Sequence, residues 1–492
     1  MSAPASIIVA GRDAPLWLAV NALHTALSPT GVTVTAVELP AQQRADDVYA
    51  TLPALEALHN LLGLDEAQVL QATGGAFSLG QMFAGFSGGR PPFMHAYGTY
   101  GASIEGQGFF PFWLKARSLG LNVELEDFSL TAAAAKQGRV FIPDATTQAF
   151  GRTDYGYHLP AAAYTALLKA RAIKAGVTVH ETHDFGVLPG ADGIGALDLG
   201  GRRVSADLYV DTTGRMMDAL NIAITSWRTW FPCDRLLAVA GPRLKSLPSY
   251  AQVRAQSDGW LAFHPSQMRT HLLRAYDSAR LSDDDALQAA AAVSSLVLGD
   301  AVVSVSDPGC RERLWAGNCV AIGEAACRFD AIDSVDLQAV QTGLVHLLSL
   351  FPVNDTPVAE RTEYDRVVGR AFERIRDFQA AHYLLNRYGR PDFWARAREV
   401  EPPPELKSKI AAFSARGTIA WLDDETFSED SWRALFVGHG LEPDSYDPRI
   451  DRVDPQVIKR DLRGILSFIK DQVTEQASHD SYIELFCAAG GQ

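Results

Sequence analysis

The first apolar residues come as a short unbroken run, Ile7-Ile8-Val9-Ala10, without polar alternation, which predicts a strand buried on both faces. From about Leu16 the period lengthens. Trp17, Val20, Leu23 and Leu27 recur at helical spacing and form one apolar stripe. Residues 32–38 are β-branched and predict a second strand that ends at Glu38. Strand, helix, strand is how a dinucleotide-binding α/β fold opens. Residues 52–70 read as one or two helices split at Gly63, and residues 87–108, rich in Gly, Pro and aromatics, as a long loop region. An alanine-rich helix over 161–175 leads into Val177-Thr178-Val179. Past a glycine-rich hairpin comes a strand over 206–211, closed by Asp211-Thr212-Thr213-Gly214.

From about Asp355 the pattern changes to charged, helix-favouring stretches at 361–378, 404–415 and 454–474. The expected organisation is an interwoven α/β module over 1–354 with a mostly helical region, 355–492, docked on it. No low-complexity linker separates the two.

With 47% hydrophobic and 21% charged residues over 492 positions, the composition is globular. A net charge of −14 argues against nucleic acid and against an anionic membrane surface as partners. The five cysteines (Cys233, Cys310, Cys319, Cys327, Cys487) are odd in number and form no C-x-x-C, so neither a disulfide framework nor a metal site is expected. No apolar run approaches the ~20 residues of a membrane helix. The N-terminus lacks a basic stretch followed by an apolar core. The expectation is a cytoplasmic protein without a membrane partner.

The stretch richest in chemistry is 323–336, G-E-A-A-C-R-F-D-A-I-D-S-V-D, directly after the strand-like run 319–322. It resembles the segment of flavin-dependent tryptophan halogenases that reads roughly G-x-A-x-x-x-x-E-P-L-E-S-T-G. Further anchors appear in the same order, among them Leu52-Pro53, Ala72-Thr73-Gly74-Gly75-Ala76-Phe77, Tyr157-His158-Leu159, Gly259-Trp260, Arg376-Asp377-Phe378, His382-Tyr383 and Gly438-His439-Gly440. The resemblance implies a Rossmann-type, flavin-monooxygenase-like FAD fold with a helical C-terminal region. It also implies FAD as cofactor, a flavin reductase as partner if the chain is active, and a small-molecule or peptide ligand. A homodimer or a partner subunit is a further expectation.

The same resemblance locates the functional positions, and several are altered. In the phosphate loop Gly11, Asp13 and Leu16 stand where G-x-G-x-x-G has three glycines. Asp13 would set a carboxylate against the pyrophosphate, and Leu16 would crowd the helix or the cofactor. Glu38 stands where a ribose-binding acid belongs, or is simply a solvent-facing strand end. Asp211, Gly214, Gly323 and Glu324 remain as flavin-contact positions. The family's lysine is Ser78, which has neither the charge nor the reach to hold hypohalous acid; its alternative role is a hydroxyl bonded to backbone. The family's catalytic glutamate is Asp333, shorter by one methylene. A misplacement of that order costs roughly 100-fold. The halide-binding Thr-Gly pair is Val335-Asp336, a site expected to be lost.

The motif W-x-W-x-I-P reads Trp260-Leu261-Ala262-Phe263-His264-Pro265, where His264 is either a titratable group or a structural hydrogen-bonder. His95 and Tyr97 resemble the family's substrate-pocket residues. The stretch 413–440 is too short for the insertion that caps free tryptophan, and Trp421, Phe427 and Trp432 within it read as core or as a binding box. Three readings follow. The first is a relative that has lost halogenation and binds a ligand or partner. The second is an FAD-dependent monooxygenase. The third is a halogenase for an indole-like or peptide substrate other than free tryptophan, with Lys115 or Lys136 replacing the missing lysine.

Overall fold

A computed structural model describes residues 3–142, 149–354, 357–389 and 392–488. The first strand, Ser6–Gly11, lies inside a six-stranded sheet between Thr33–Glu38 and Leu208–Asp211, parallel to both. Thr178–Glu181 extends the sheet on one side and Cys319–Ala321 on the other, where Trp315–Ala316 adds a short antiparallel edge. Residues Ile7 to Ala10 are buried, as an unbroken apolar run between covered faces requires. Helix Asp13–Leu27 covers one face with Ala161–Lys174 and Asp336–Ser349 beside it. It starts three residues before Leu16, because Asp13 and Ala14 already belong to its first turn.

A second sheet has seven strands, in the order Val302–Val305, Arg235–Pro242, Arg269–Tyr276, Gly259–Pro265, Ala251–Gln256, Gly80–Ala84, Phe93–Ala96. The last strand falls inside the stretch read as loop. Five residues between Pro91-Pro92 and Gly98 give too short a pattern to read, and pairing with Gly80–Ala84 forms the four-residue strand. Gly80 permits that approach: a Cβ there would stand 2.3 Å from the His95 carbonyl oxygen. Along this edge pair the residues alternate. Gln81, Phe83 and His95 face the C-terminal helices, while Met82 and Met94 face the other way.

The C-terminal region is helical, with Val358–Leu384, Asp392–Glu399, Pro404–Arg416, Glu429–Gly438 and Pro455–Glu475 as its main helices. Residues 374–384 of the 27-residue helix are all buried against the second sheet, so its side chains belong to one continuous core with the α/β part. A buried ion pair fixes the segment that returns to this core. Lys409 donates to Glu425 at 2.5 Å and to the Ala420 carbonyl at 2.8 Å, with the two charged side chains 1% and 0% exposed. Trp432 donates its indole N–H to the same Glu425 at 3.1 Å and lies under the ammonium. Lys409→Met is expected to lower the unfolding free energy by about 3–5 kcal/mol, because it strands a buried carboxylate. Lys409→Met with Glu425→Gln should recover most of that loss in urea titrations.

Candidate functional site

The turn after the first strand determines what can bind there. Arg12 is extended, and Asp13 then takes a left-handed conformation (φ 56°), unusual for a residue other than glycine. The turn directs the Asp13 carboxylate onto two backbone amides, Gln42 at 3.0 Å and Gln43 at 3.4 Å. Burial raises the Asp13 pKa, and these amides pull it back in part. A Cβ on Gly11 would come within 1.8 Å of the Thr212 hydroxyl, and Leu16 is fully buried beside it. At the end of the second strand Glu38 is held by Lys169 at 2.6 Å, and Lys169 also binds Glu181 at 2.9 Å. Asp211 is consumed locally. One oxygen accepts from Thr213 and Gly214, the other from the amides of Met216 and Met217, which caps the short helix Arg215–Ala219.

Gly323 needs its left-handed φ of 62° and has Val340 where a Cβ would go, at 2.9 Å. Glu324 and Asp336 both reach solvent, yet neighbouring chain encloses them deeply enough to raise both carboxyl pKa values. Burial pushes Asp336 to about 7, and the charges of Glu324 and Asp330 add to it. Asp13, Glu324 and Asp336 all act on the buried Tyr49 hydroxyl, so its surroundings are acidic.

Asp333 sits at the middle of a second constellation. It too is left-handed (φ 67°) and 1% exposed. One carboxylate oxygen meets His382 Nε2 at 3.3 Å, and the other has no partner among the described residues. His382 Nδ1 lies 3.1 Å from His439 Nε2, making a buried Asp333–His382–His439 chain. Asp330 accepts from the Tyr383 hydroxyl at 3.1 Å and from the Ile332 amide at 3.0 Å, and Tyr383 accepts from the Trp260 indole at 2.7 Å. Burial pushes the Asp330 carboxyl up to about 6, against those hydrogen bonds. Val335 is fully buried.

Next to Asp333 is a cavity of about 440 Å³ lined by His95, Tyr97, Asn60, Gln338, Phe427 and Asp430, among others. His95 is 1% exposed, and neither ring nitrogen has a partner among the described residues. Burial holds its pKa down at about 4, so the ring is neutral at pH 7. Phe427 stacks on Phe378 with ring centroids 3.7 Å apart, forming an aromatic wall. Trp432 is buried and Trp421 half exposed.

The remaining predicted positions lie elsewhere. Ser78 is buried and donates to the Gly80 carbonyl at 3.2 Å; it does not line the cavity. Trp260 is fully buried against Tyr383. His264 packs edge-on to His158 and is held neutral, at about 3, by burial. Neither lines the cavity. Lys115 is tied to Asp451 and the Ile450 carbonyl, and Lys136 to Glu126 and Asp127. Sequence reasoning passed over Gln379 and the joining of Asp333, His382 and His439 into one chain. Their signal is the polar residues Gln379 and His382 at core-facing positions of an otherwise apolar helix stripe.

The tryptophan halogenase family model matches residues 6–455. The chain belongs to the tryptophan halogenase family. Among relatives it is 22% identical to tryptophan 7-halogenase RebH of Lentzea aerocolonigenes, over 95% of each chain. Its fold superposes on Xcc4156, a flavin-dependent halogenase from Xanthomonas campestris, with a TM-score of 0.94 and 28% identity over the whole of both chains. It superposes on BrvH, a flavin-dependent halogenase from Brevundimonas sp. BAL3, with a TM-score of 0.91 and 30% identity over 98% of this chain and 99% of that one.

The residues present do not fit FAD at the positions the halogenase resemblance implies. Asp13 sets a carboxylate in the turn where a dinucleotide fold brings its pyrophosphate. Glu38 is neutralised by Lys169, and Asp211 has no oxygen left over.

A pH test isolates the Asp330 carboxyl. Its folded pKa of about 6 exceeds the ordinary carboxyl value of 3.8, so the native state holds the extra proton and stability falls as pH rises from about 4 through 6. Asp330→Asn should match the natural protein at pH 4 and exceed it by up to roughly 3 kcal/mol at pH 7, read by denaturant unfolding at both values.

Proposed function

We propose that this halogenase-family chain has given up flavin-dependent halogenation and uses the cavity beside Asp333 to bind an indole-like ligand or peptide. The observation that carries the reading is the Asp13 carboxylate seated on the Gln42 and Gln43 amides. It fills the turn that a dinucleotide fold keeps for phosphate and places charge of the wrong sign there. The lysine position is a buried serine bonded to backbone, and no lysine is among the residues lining the cavity. The ligand side of the site is better preserved. A neutral His95 with two unpaired nitrogens offers one donor and one acceptor, and Phe427 on Phe378 offers a flat apolar wall. An indole ring with its single N–H matches that pairing of an aromatic surface with one hydrogen-bond acceptor.

A second reading, FAD-dependent oxygenation, draws on Glu324 and Asp336, which still reach solvent. The same assay separates the two. With reduced FAD supplied by a flavin reductase, in chloride or bromide and with indole as acceptor, we expect no halogenated product and no protein-dependent oxygen uptake. Oxygen uptake without halogen would favour the second reading, and halogenated indole would overturn both. Indole itself should bind the natural protein in saturation-transfer NMR. His95→Phe should weaken it about tenfold, the usual worth of one buried hydrogen bond, and unchanged binding would remove the cavity from the account.

A further inference from the structure

The back of the strand pair that carries His95 forms a second cleft. Its volume is about 910 Å³, at the upper end of small-molecule sites. The floor is apolar: Met82 and Met94 face each other across the strand pair, and Leu125 borders them. Gln81 and His95, one register step away on the same two strands, point to the opposite side, so this cleft is separated by the sheet from the cavity beside Asp333.

The edge strand beneath it is pre-formed. Glu126 accepts from the Met94 amide at 2.5 Å, Tyr100 donates its hydroxyl to the Met94 carbonyl at 3.1 Å, and Ala96 donates to Tyr100 at 2.8 Å. An edge with its backbone groups satisfied this way holds its shape and leaves the side chains, not the main chain, as the binding surface.

Four cations line the cleft, and three are neutralised. Arg90 pairs with Glu442, Arg117 with Glu124, and Lys136 with Glu126 and Asp127. Arg254 differs. Among the described residues its guanidinium meets no carboxylate. It lies 4.9 Å over the Phe263 ring and donates only to the Gln252 side chain at 2.9 Å. A planar fork with unspent donors, positioned by an aromatic face over an apolar floor, is a receptor for a carboxylate or sulfonate on an apolar body.

We propose that this cleft is a second ligand site that takes a mid-sized aromatic or aliphatic acid. Its anionic head meets Arg254 and its apolar body covers Met82 and Met94. The site is independent of the cavity beside Asp333 and of any cofactor.

A matched pair of probes tests it: 8-anilinonaphthalene-1-sulfonate, and N-phenyl-1-naphthylamine, which lacks the sulfonate. Fluorescence titration of the full chain should show one saturable sulfonate site per chain. Arg254→Gln should weaken the sulfonate roughly tenfold, as expected for one charge-assisted hydrogen bond, and leave the neutral amine unchanged. Ala84→Trp, opposite Arg254 in the parallel register, should block both probes. His95→Phe should affect neither. Circular dichroism melts of each variant confirm folding, and Arg254→Gln, a change at a partly exposed side chain, keeps the test readable if Ala84→Trp unfolds. No saturable sulfonate binding, equal weakening of both probes by Arg254→Gln, or loss of binding in His95→Phe would overturn the proposal.

Discussion

A carboxylate seated on the chain's own backbone amides decides what the turn after the first strand can hold. In a dinucleotide fold the turn after the first strand is left open so that main-chain N–H groups can meet phosphate. Here Asp13 enters that turn in a left-handed conformation and binds the amides of Gln42 and Gln43. Lys169 neutralises Glu38, Asp211 caps its own helix, and Leu16 and Thr212 pack where a glycine-lined gap would be. The sheet and its covering helices survive because they depend on apolar burial, which Asp13 does not disturb.

The buried polar groups gather on the helix Val358–Leu384. Asp330, Asp333, Gln379, His382 and Tyr383 interlock in a buried network that joins the segment following Gly323 to residues 374–384. Such a network specifies one arrangement of helix on sheet, because breaking any member leaves a buried polar group unpaired. Among the described residues one oxygen of Asp333, Gln379 Oε1 and His439 Nδ1 remain unpaired in it, and both ring nitrogens of the nearby His95 are unpaired as well. His95 lines the cavity walled by Phe427, and a bound ligand is a natural partner for a group that the protein itself leaves unsatisfied.

Much of the fold was legible because periodicity records burial. The run 7–10, the stripe from Trp17 to Leu27 and the break at Gly63 each say which face is covered, and the helices Ala54–Leu61 and Glu66–Thr73 part where Gly63 turns left-handed. Phe93–Ala96 was not legible, since four residues beside two prolines have no period to show. In the site, the altered positions were visible one by one as residue types, but their partners were not. Nothing local links Glu38 to Lys169 or His382 to His439, because those pairs form only when distant elements pack. The strength of the second constellation therefore came from the three-dimensional arrangement, and so did the placement of Ser78, Trp260 and His264 away from the cavity.

The most direct measurement is calorimetric titration of FAD into the natural protein and into Asp13→Gly. Glycine keeps the left-handed turn without strain and frees the Gln42 and Gln43 amides. The account predicts no heat for the natural protein at FAD concentrations of about 100 µM and measurable binding by Asp13→Gly. Micromolar binding by the natural protein, undiminished by comparison with Asp13→Gly, would show that the carboxylate does not close the site and would contradict the account.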